Sequence, residues 1–121
     1  MSSSVLICDD SNLARKQVLR SLPDSWEVDV ELAKHGIEAL EVLKNRDIDV
    51  MFLDLTMPEL DGVGVLEAIK QDDIKVDVFV ISADIQPEMQ SKVLDLGAKA
   101  FLRKPVSPDV LVDTLQQHGI M

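Results

Sequence analysis

The chain has 121 residues, enough for one compact domain with a buried core and too few for two ordinary ones, so a single domain over residues 1–121 is expected. Twelve basic against twenty-two acidic side chains leave a net charge of −10, which repels phosphate backbones and anionic lipid surfaces and excludes unaided contact with nucleic acid. No apolar run approaches the ~20 residues that cross a bilayer, and the opening MSSSVLICDD lacks the basic lead and long apolar core of an export signal, so a cytoplasmic protein is expected. The lone Cys8 permits neither an internal disulfide nor a structural zinc set.

In chain order, apolar β-branched runs at Val5–Cys8, Val28–Leu32, Ile48–Leu53, Val76–Ile81 and Ala98–Leu102 predict strands, each separated from the next by a stretch with helical spacing. After the first, Ser11 is the expected cap of a helix in which Ala14, Val18 and Leu22 recur every four residues. A second helix is expected over Gly36–Asn45, with Ile37, Leu40 and Leu43, or else Ala39 and Val42, turned inward. Asp61 caps a third, carrying Val65, Leu66 and Ile69. Pro87 opens the fourth, striped by Met89, Val93 and Leu96 and stopped by Gly97. Ser107 and Pro108 open a fifth, with Val110, Leu111, Thr114 and Leu115. Such alternation predicts an α/β fold: a doubly wound (βα)5 chain whose five-stranded parallel sheet has helices on both faces. For so short a chain the flavodoxin-like order 2-1-3-4-5 is the expected one.

Ligands of such sheets bind outside the carboxyl ends of the strands, where the strand order reverses, here between strands one and three. Asp9 and Asp10 end strand one, Asp54 ends strand three, Ser82 ends strand four and Lys104 follows strand five. In parallel strands all five meet on one edge. Carboxylates about 4–6 Å apart repel, each close pair costing on the order of 4 kcal/mol at an effective dielectric of about 20. One lysine cannot offset three such groups, whereas a divalent cation can, and oxygen donors suit Mg²⁺, or Mn²⁺ in its place. Asp9 and Asp10 therefore read as metal ligands. Asp54 reads as a nucleophile toward phosphorus, with Lys104 neutralising the transferred oxygens, Ser82 donating its hydroxyl to them, and the small Ala83 leaving room for entry. An acyl phosphate formed at Asp54 is readily hydrolysed, which suits a reversible signal. Taken singly, an Asp-Asp pair solvates a turn, Ser82 caps a helix and Phe101 fills a core; their coincidence at successive strand ends carries the functional reading.

The acidic pair in VLICDDS, the block FLDLTMPELDG, the hydroxyl residue in VFVISAD and the run AFLRKP make the chain resemble, over essentially its whole length, the receiver domain of bacterial two-component response regulators, including chemotaxis regulators of the CheY type. The resemblance implies that Asp54 accepts a phosphoryl group from a phosphohistidine on a sensor kinase or phosphotransfer domain, with Mg²⁺ required. It implies that Asp10 is a direct metal ligand beside Asp54, Asp9 a ligand through water and Thr56 a ligand through its backbone carbonyl. Lys104 would pair with the phosphate, and Ser82 and Phe101 would form the coupled switch pair that repacks the face of helix four, strand five and helix five toward an output domain or target protein. A cis bond between Lys104 and Pro105 is implied, as is a tuning of phosphoryl lifetime by Thr56 and Asp84, here to an intermediate value. Kinase specificity would lie in helix one, at Ala14, Arg15 and Val18. Val106 departs from the pattern, since an aromatic residue commonly follows that proline. Such a domain is a phosphoacceptor switch and not a turnover enzyme. The chain ends just after its fifth helix, as expected of a stand-alone regulator or of a receiver cut from a longer protein.

Two other functions share parts of this pattern. A haloacid-dehalogenase-type phosphatase also uses a strand-end aspartate, a hydroxyl, a lysine and Mg²⁺, but carries an acid two residues after the nucleophile, where Thr56 stands, and its metal-binding acids come late in the chain. A flavodoxin-like electron carrier would need a hydroxyl-rich loop after strand one and aromatic residues around its flavin; here that loop is DDSNL and tyrosine is absent. His35 and His118 lack companion ligands and are expected at the surface, Trp26 in packing, and Met57, Pro58 and Gly62 in shaping the loop after Asp54, Gly62 by relieving a turn.

Overall fold

The structure is a computed structural model that describes residues 3–55, 57, 60–83 and 86–121. Among these, strands and helices alternate: β1 (Ser3–Cys8), α1 (Asn12–Ser21), β2 (Val28–Ala33), α2 (Gly36–Asn45), β3 (Val50–Leu53), α3 (Gly62–Gln71), β4 (Asp77–Ser82), α4 (Pro87–Asp95), β5 (Ala100–Arg103) and α5 (Pro108–Gln117). The five strands form one parallel sheet in the order β2-β1-β3-β4-β5, so the expected architecture is the observed one.

The central strands carry apolar residues at nearly every position because both faces of the sheet are covered. On one face Val5, Ile7, Phe52, Phe79 and Ile81 pack with Val18 of α1 and Leu111 and Leu115 of α5. On the other, Leu6, Cys8, Met51, Leu53, Val78 and Val80 pack with Ala39 and Leu43 of α2, Val65, Leu66 and Ile69 of α3 and Val93 of α4. Trp26 and Val106 pack, partly buried, against the first of these layers.

The helix boundaries are local chemistry. Ser11, Asp61 and Ser107 each accept a hydrogen bond from the backbone amide three residues on, at Ala14, Gly64 and Val110. Gly97, with φ at +108°, ends α4 in a conformation that favours glycine. Unexpectedly, α2 is capped by His35, whose Nδ1 accepts from the Glu38 amide while Glu38 Oε1 accepts from the Lys34 amide. Its inner side is Ala39 and Leu43, one residue from each of the two expected faces, with Leu40 and Val42 partly buried beside them, and of the expected residues Ile37 alone is exposed. The physical reason is Gly36: a Cβ there would collide with the Leu60 carbonyl oxygen, so α2 meets the start of α3 through its smallest residues and Ile37 turns away. No helix of the described residues is long and apolar enough to cross a membrane.

Candidate functional site

Parallel pairing fixes where the chemistry sits. Cys8 lies opposite both Ala33 and Leu53, and the ladder runs one residue further: the Asp9 amide donates to the Ala33 carbonyl at 3.1 Å and the Asp54 amide to the Cys8 carbonyl at 2.9 Å. Ser82 lies opposite Arg103, and the Lys104 amide donates to the Ser82 carbonyl at 2.9 Å. Asp9, Asp54 and Lys104 therefore leave the sheet at one level, each a single residue beyond its strand. They border a depression of about 370 Å³ together with Asp10, Ser82 and Ala83. Larger grooves lie elsewhere, at the end of α1 against the start of α5 and under the opposite edge of the sheet, but among the described residues neither brings three carboxylates close enough together to share an ion.

One carboxylate oxygen from each of Asp9, Asp10 and Asp54 lies within 4.8 Å of the others. Lys104 Nζ stands 2.7 Å from Asp9 Oδ2 and 3.1 Å from Asp54 Oδ1. Asp9 and Asp54 are only 3 % and 5 % exposed and Ser82 1 %, whereas Asp10 is exposed. Asp9 is held on both carboxylate oxygens, since the Ser11 amide donates to Oδ1 at 2.9 Å. Burial, and after it the charge of Asp9, push the Asp54 carboxyl above the ordinary carboxylate range, against the lowering effect of the Lys104 hydrogen bond. Burial by itself would lower Lys104, but its bonds to Asp9 and Asp54 outweigh that and raise it. The Cys8 thiol, buried and then facing Asp9 and Asp54, is pushed up to about 12 and so stays protonated; it contacts Met57 Sδ at 3.4 Å. Three hard oxygen donors facing one lysine fit a divalent cation such as Mg²⁺, which accepts carboxylates and keeps part of its water shell.

Val80 pairs with Phe101 and Ser82 with Arg103, so Ser82 and the half-buried Phe101 are diagonal neighbours; Phe101 packs on the core layer beneath α4. The Lys104–Pro105 bond is cis. Thr56, Asp84 and Pro58 lie outside the described residues. His118 is at the surface, its ring edge-on to Phe79 at 5.5 Å.

Two expectations change. Gly62 does not relieve a turn: its φ is not positive, and a Cβ there would collide with the Asp54 carbonyl oxygen, so the residue permits α3 to start directly against the backbone of Asp54. In α1, Arg15 and Val18 are buried, so they cannot meet a partner; Leu13, Lys16 and Gln17 are the exposed residues of that stretch. Arg15 Nη1 instead donates to the Asp9 carbonyl oxygen at 2.6 Å. The spacing signalled this, because Arg15, Val18 and Leu22 stand at i, i+3 and i+7 and share a helix face.

Residues 5–116 match the family model described as the response regulator receiver domain. The chain is 33% identical over 118 residues to the chemotaxis protein CheY of Bacillus subtilis (strain 168), covering 97% of this chain and 98% of that protein. Among solved structures, the signal receiver domain of NarL from Mycobacterium tuberculosis is similar with a TM-score of 0.87 at 33% identity, over 97% of this chain and 95% of that one. A chain of the CheX–CheY–BeF3–Mg²⁺ complex of Borrelia burgdorferi is similar with a TM-score of 0.89 at 30% identity, over 98% of this chain and 90% of that one.

Proposed function

This chain belongs to the response regulator receiver domains, and from that membership we propose that residues 1–121 are one receiver domain, switched when Asp54 accepts a phosphoryl group from the phosphohistidine of a sensor kinase or phosphotransfer domain. The observation that carries this reading is the approach of Asp9, Asp10 and Asp54 to within 4.8 Å around Lys104. Asp10 and Asp54 would hold Mg²⁺ directly, Asp9 through water and Thr56 through its backbone carbonyl. When bound, the ion neutralises charge on the phosphoryl oxygens.

This chain's own residues do the rest. An Asp54 carboxylate oxygen attacks phosphorus in line, the phosphorus–nitrogen bond to the donor imidazole breaks as the new phosphorus–oxygen bond forms, and the imidazole takes a proton from solvent. Lys104 Nζ, already 3.1 Å from Asp54 Oδ1, pairs with a transferred oxygen. Ser82 donates its hydroxyl to another, and Ala83 leaves the entry open. Ser82 moving toward the phosphoryl group vacates space for Phe101, and the face of α4, β5 and α5 repacks toward an output domain or target protein. Thr56 and Asp84 set the lifetime of the acyl phosphate, to an intermediate value. The domain works in the cytoplasm, and its charge of −10 fits a part that leaves nucleic acid to others.

No observation favours the phosphatase reading: Thr56 stands where that family's general acid would be, and the acidic pair comes early in the chain, directly after β1. Acetyl phosphate with Mg²⁺ is expected to label the chain once, with no labelling of Asp54→Asn and none in a chelator. Sustained multiple turnovers on small phosphomonoesters would overturn the switch in favour of the enzyme.

A further inference from the structure

Among the described residues Arg15 is the only buried basic side chain, 8 % exposed on the inner face of α1 with Val18 and Ser21. Its Nη1 donates to the Asp9 carbonyl oxygen at 2.6 Å and its Nη2 to Asn12 Oδ1 at 3.2 Å. With that bond every polar group of Asp9 is held: the amide by the Ala33 carbonyl, Oδ1 by the Ser11 amide, Oδ2 by Lys104 and the carbonyl oxygen by Arg15. The carbonyl belongs to the peptide that joins Asp9 to Asp10, and a peptide is planar, so fixing its oxygen fixes the direction in which Asp10 leaves the turn. Asp10 needs that help, because its exposed carboxylate has no hydrogen bond among the described residues to aim it at Asp9 and Asp54.

We infer that Arg15 is a positioning residue of the divalent-cation site, acting through the Asp9 carbonyl to aim the Asp10 carboxylate. The inference rests on the reading of Asp9, Asp10 and Asp54 as a metal centre. Three physical roles for Arg15 have different signatures. A bare positive charge repels a dication, so its removal would tighten Mg²⁺ binding. A purely structural anchor would lower stability on removal and leave affinity unchanged. An aiming bond, once removed, weakens binding, as loss of the partners that orient metal ligands commonly does, by about 10- to 100-fold.

The test is calorimetric titration of Mg²⁺ into metal-free wild-type protein, Arg15→Met and Arg15→Lys, with circular dichroism and urea unfolding of each to confirm folding at the titration temperature. Arg15→Met is expected to bind about tenfold more weakly. Arg15→Lys, which keeps one donor within reach of the carbonyl, falls between. Arg15→Met binding as tightly as wild type, or more tightly, overturns the inference; should Arg15→Met not fold, Arg15→Lys binding at wild-type affinity overturns it. Wild-type protein that takes up no Mg²⁺ overturns the metal assignment and this inference together, which separates the two failures.

Discussion

Burial and the charge of Asp9 hold the Asp54 carboxyl above the ordinary carboxylate range, so its ionised form costs stability whenever no cation is bound. For an acid raised in the folded state, the favourable contribution is present below the unfolded value and is lost as pH rises through the raised one. In a chelator at neutral pH, Asp54→Asn should therefore melt a few degrees higher than wild type, as expected of roughly 1 kcal/mol in a domain of this size. The gain should shrink as pH falls and the wild-type carboxyl takes its proton. Scanning calorimetry across pH checks this, and a destabilised variant would contradict it. Lys104 is the opposite case: its removal leaves two buried carboxylates facing each other, and Lys104→Met should lose about 1–3 kcal/mol by urea unfolding without metal, the lysine being part exposed. Mg²⁺ should restore more stability to that variant than it gives wild type. Asp9 and Asp54 were legible in the sequence because each breaks an apolar run where a strand ends, and Lys104 because it directly follows the fifth strand. The work of Arg15 was less so, since a basic residue in an amphipathic helix is ordinarily solvated, and only its shared face with Val18 gave it away.

Helix and strand identities were legible from apolar period and caps, while the ends that moved did so for tertiary reasons. Ile48 is apolar and buried, yet β3 starts at Val50; Asp49 between them is the junction, its amide donating to the Ser4 carbonyl oxygen and its Oδ2 accepting from the Ser4 amide. The cap of α2 was hidden because histidine is rarely chosen there, and the inner face of α2 because it depends on how closely Leu60 approaches Gly36. The start of α3 is the most consequential junction. Gly62→Ala would drive a methyl into the Asp54 carbonyl and the Leu55 backbone. We expect a loss of roughly 1–3 kcal/mol and slower labelling of Asp54, read from thermal melts and acetyl phosphate kinetics; wild-type values for both would contradict the close approach. Ser107→Ala, far from the acids in sequence and chemistry, should cost about 1 kcal/mol through the lost α5 cap and leave the labelling rate unchanged.

At the scale of the molecule, the sheet order brings together groups that lie ninety-five positions apart, as Asp9 and Lys104 do. A chain that concentrates like charge at one edge is incomplete without a cation, so Mg²⁺ should stabilise the whole fold by mass action. At a concentration of 100 times Kd the linkage gives about 2.7 kcal/mol. Thermal melts of Asp10→Asn should show much less of that gain than wild type, and an equal gain would place the ion elsewhere. The strand order was legible in the sequence because parallel crossovers allow few arrangements, whereas the 4.8 Å approach of the three acids depends on side-chain directions that no sequence pattern encodes. The most direct measurement is to treat the protein with acetyl phosphate and Mg²⁺, trap the acyl phosphate with borohydride, and locate the reduced residue by peptide mass spectrometry. One trapped site is expected, at Asp54, and it disappears when Mg²⁺ is chelated. Trapping at another residue, or at Asp54 with equal yield in chelator, would contradict it.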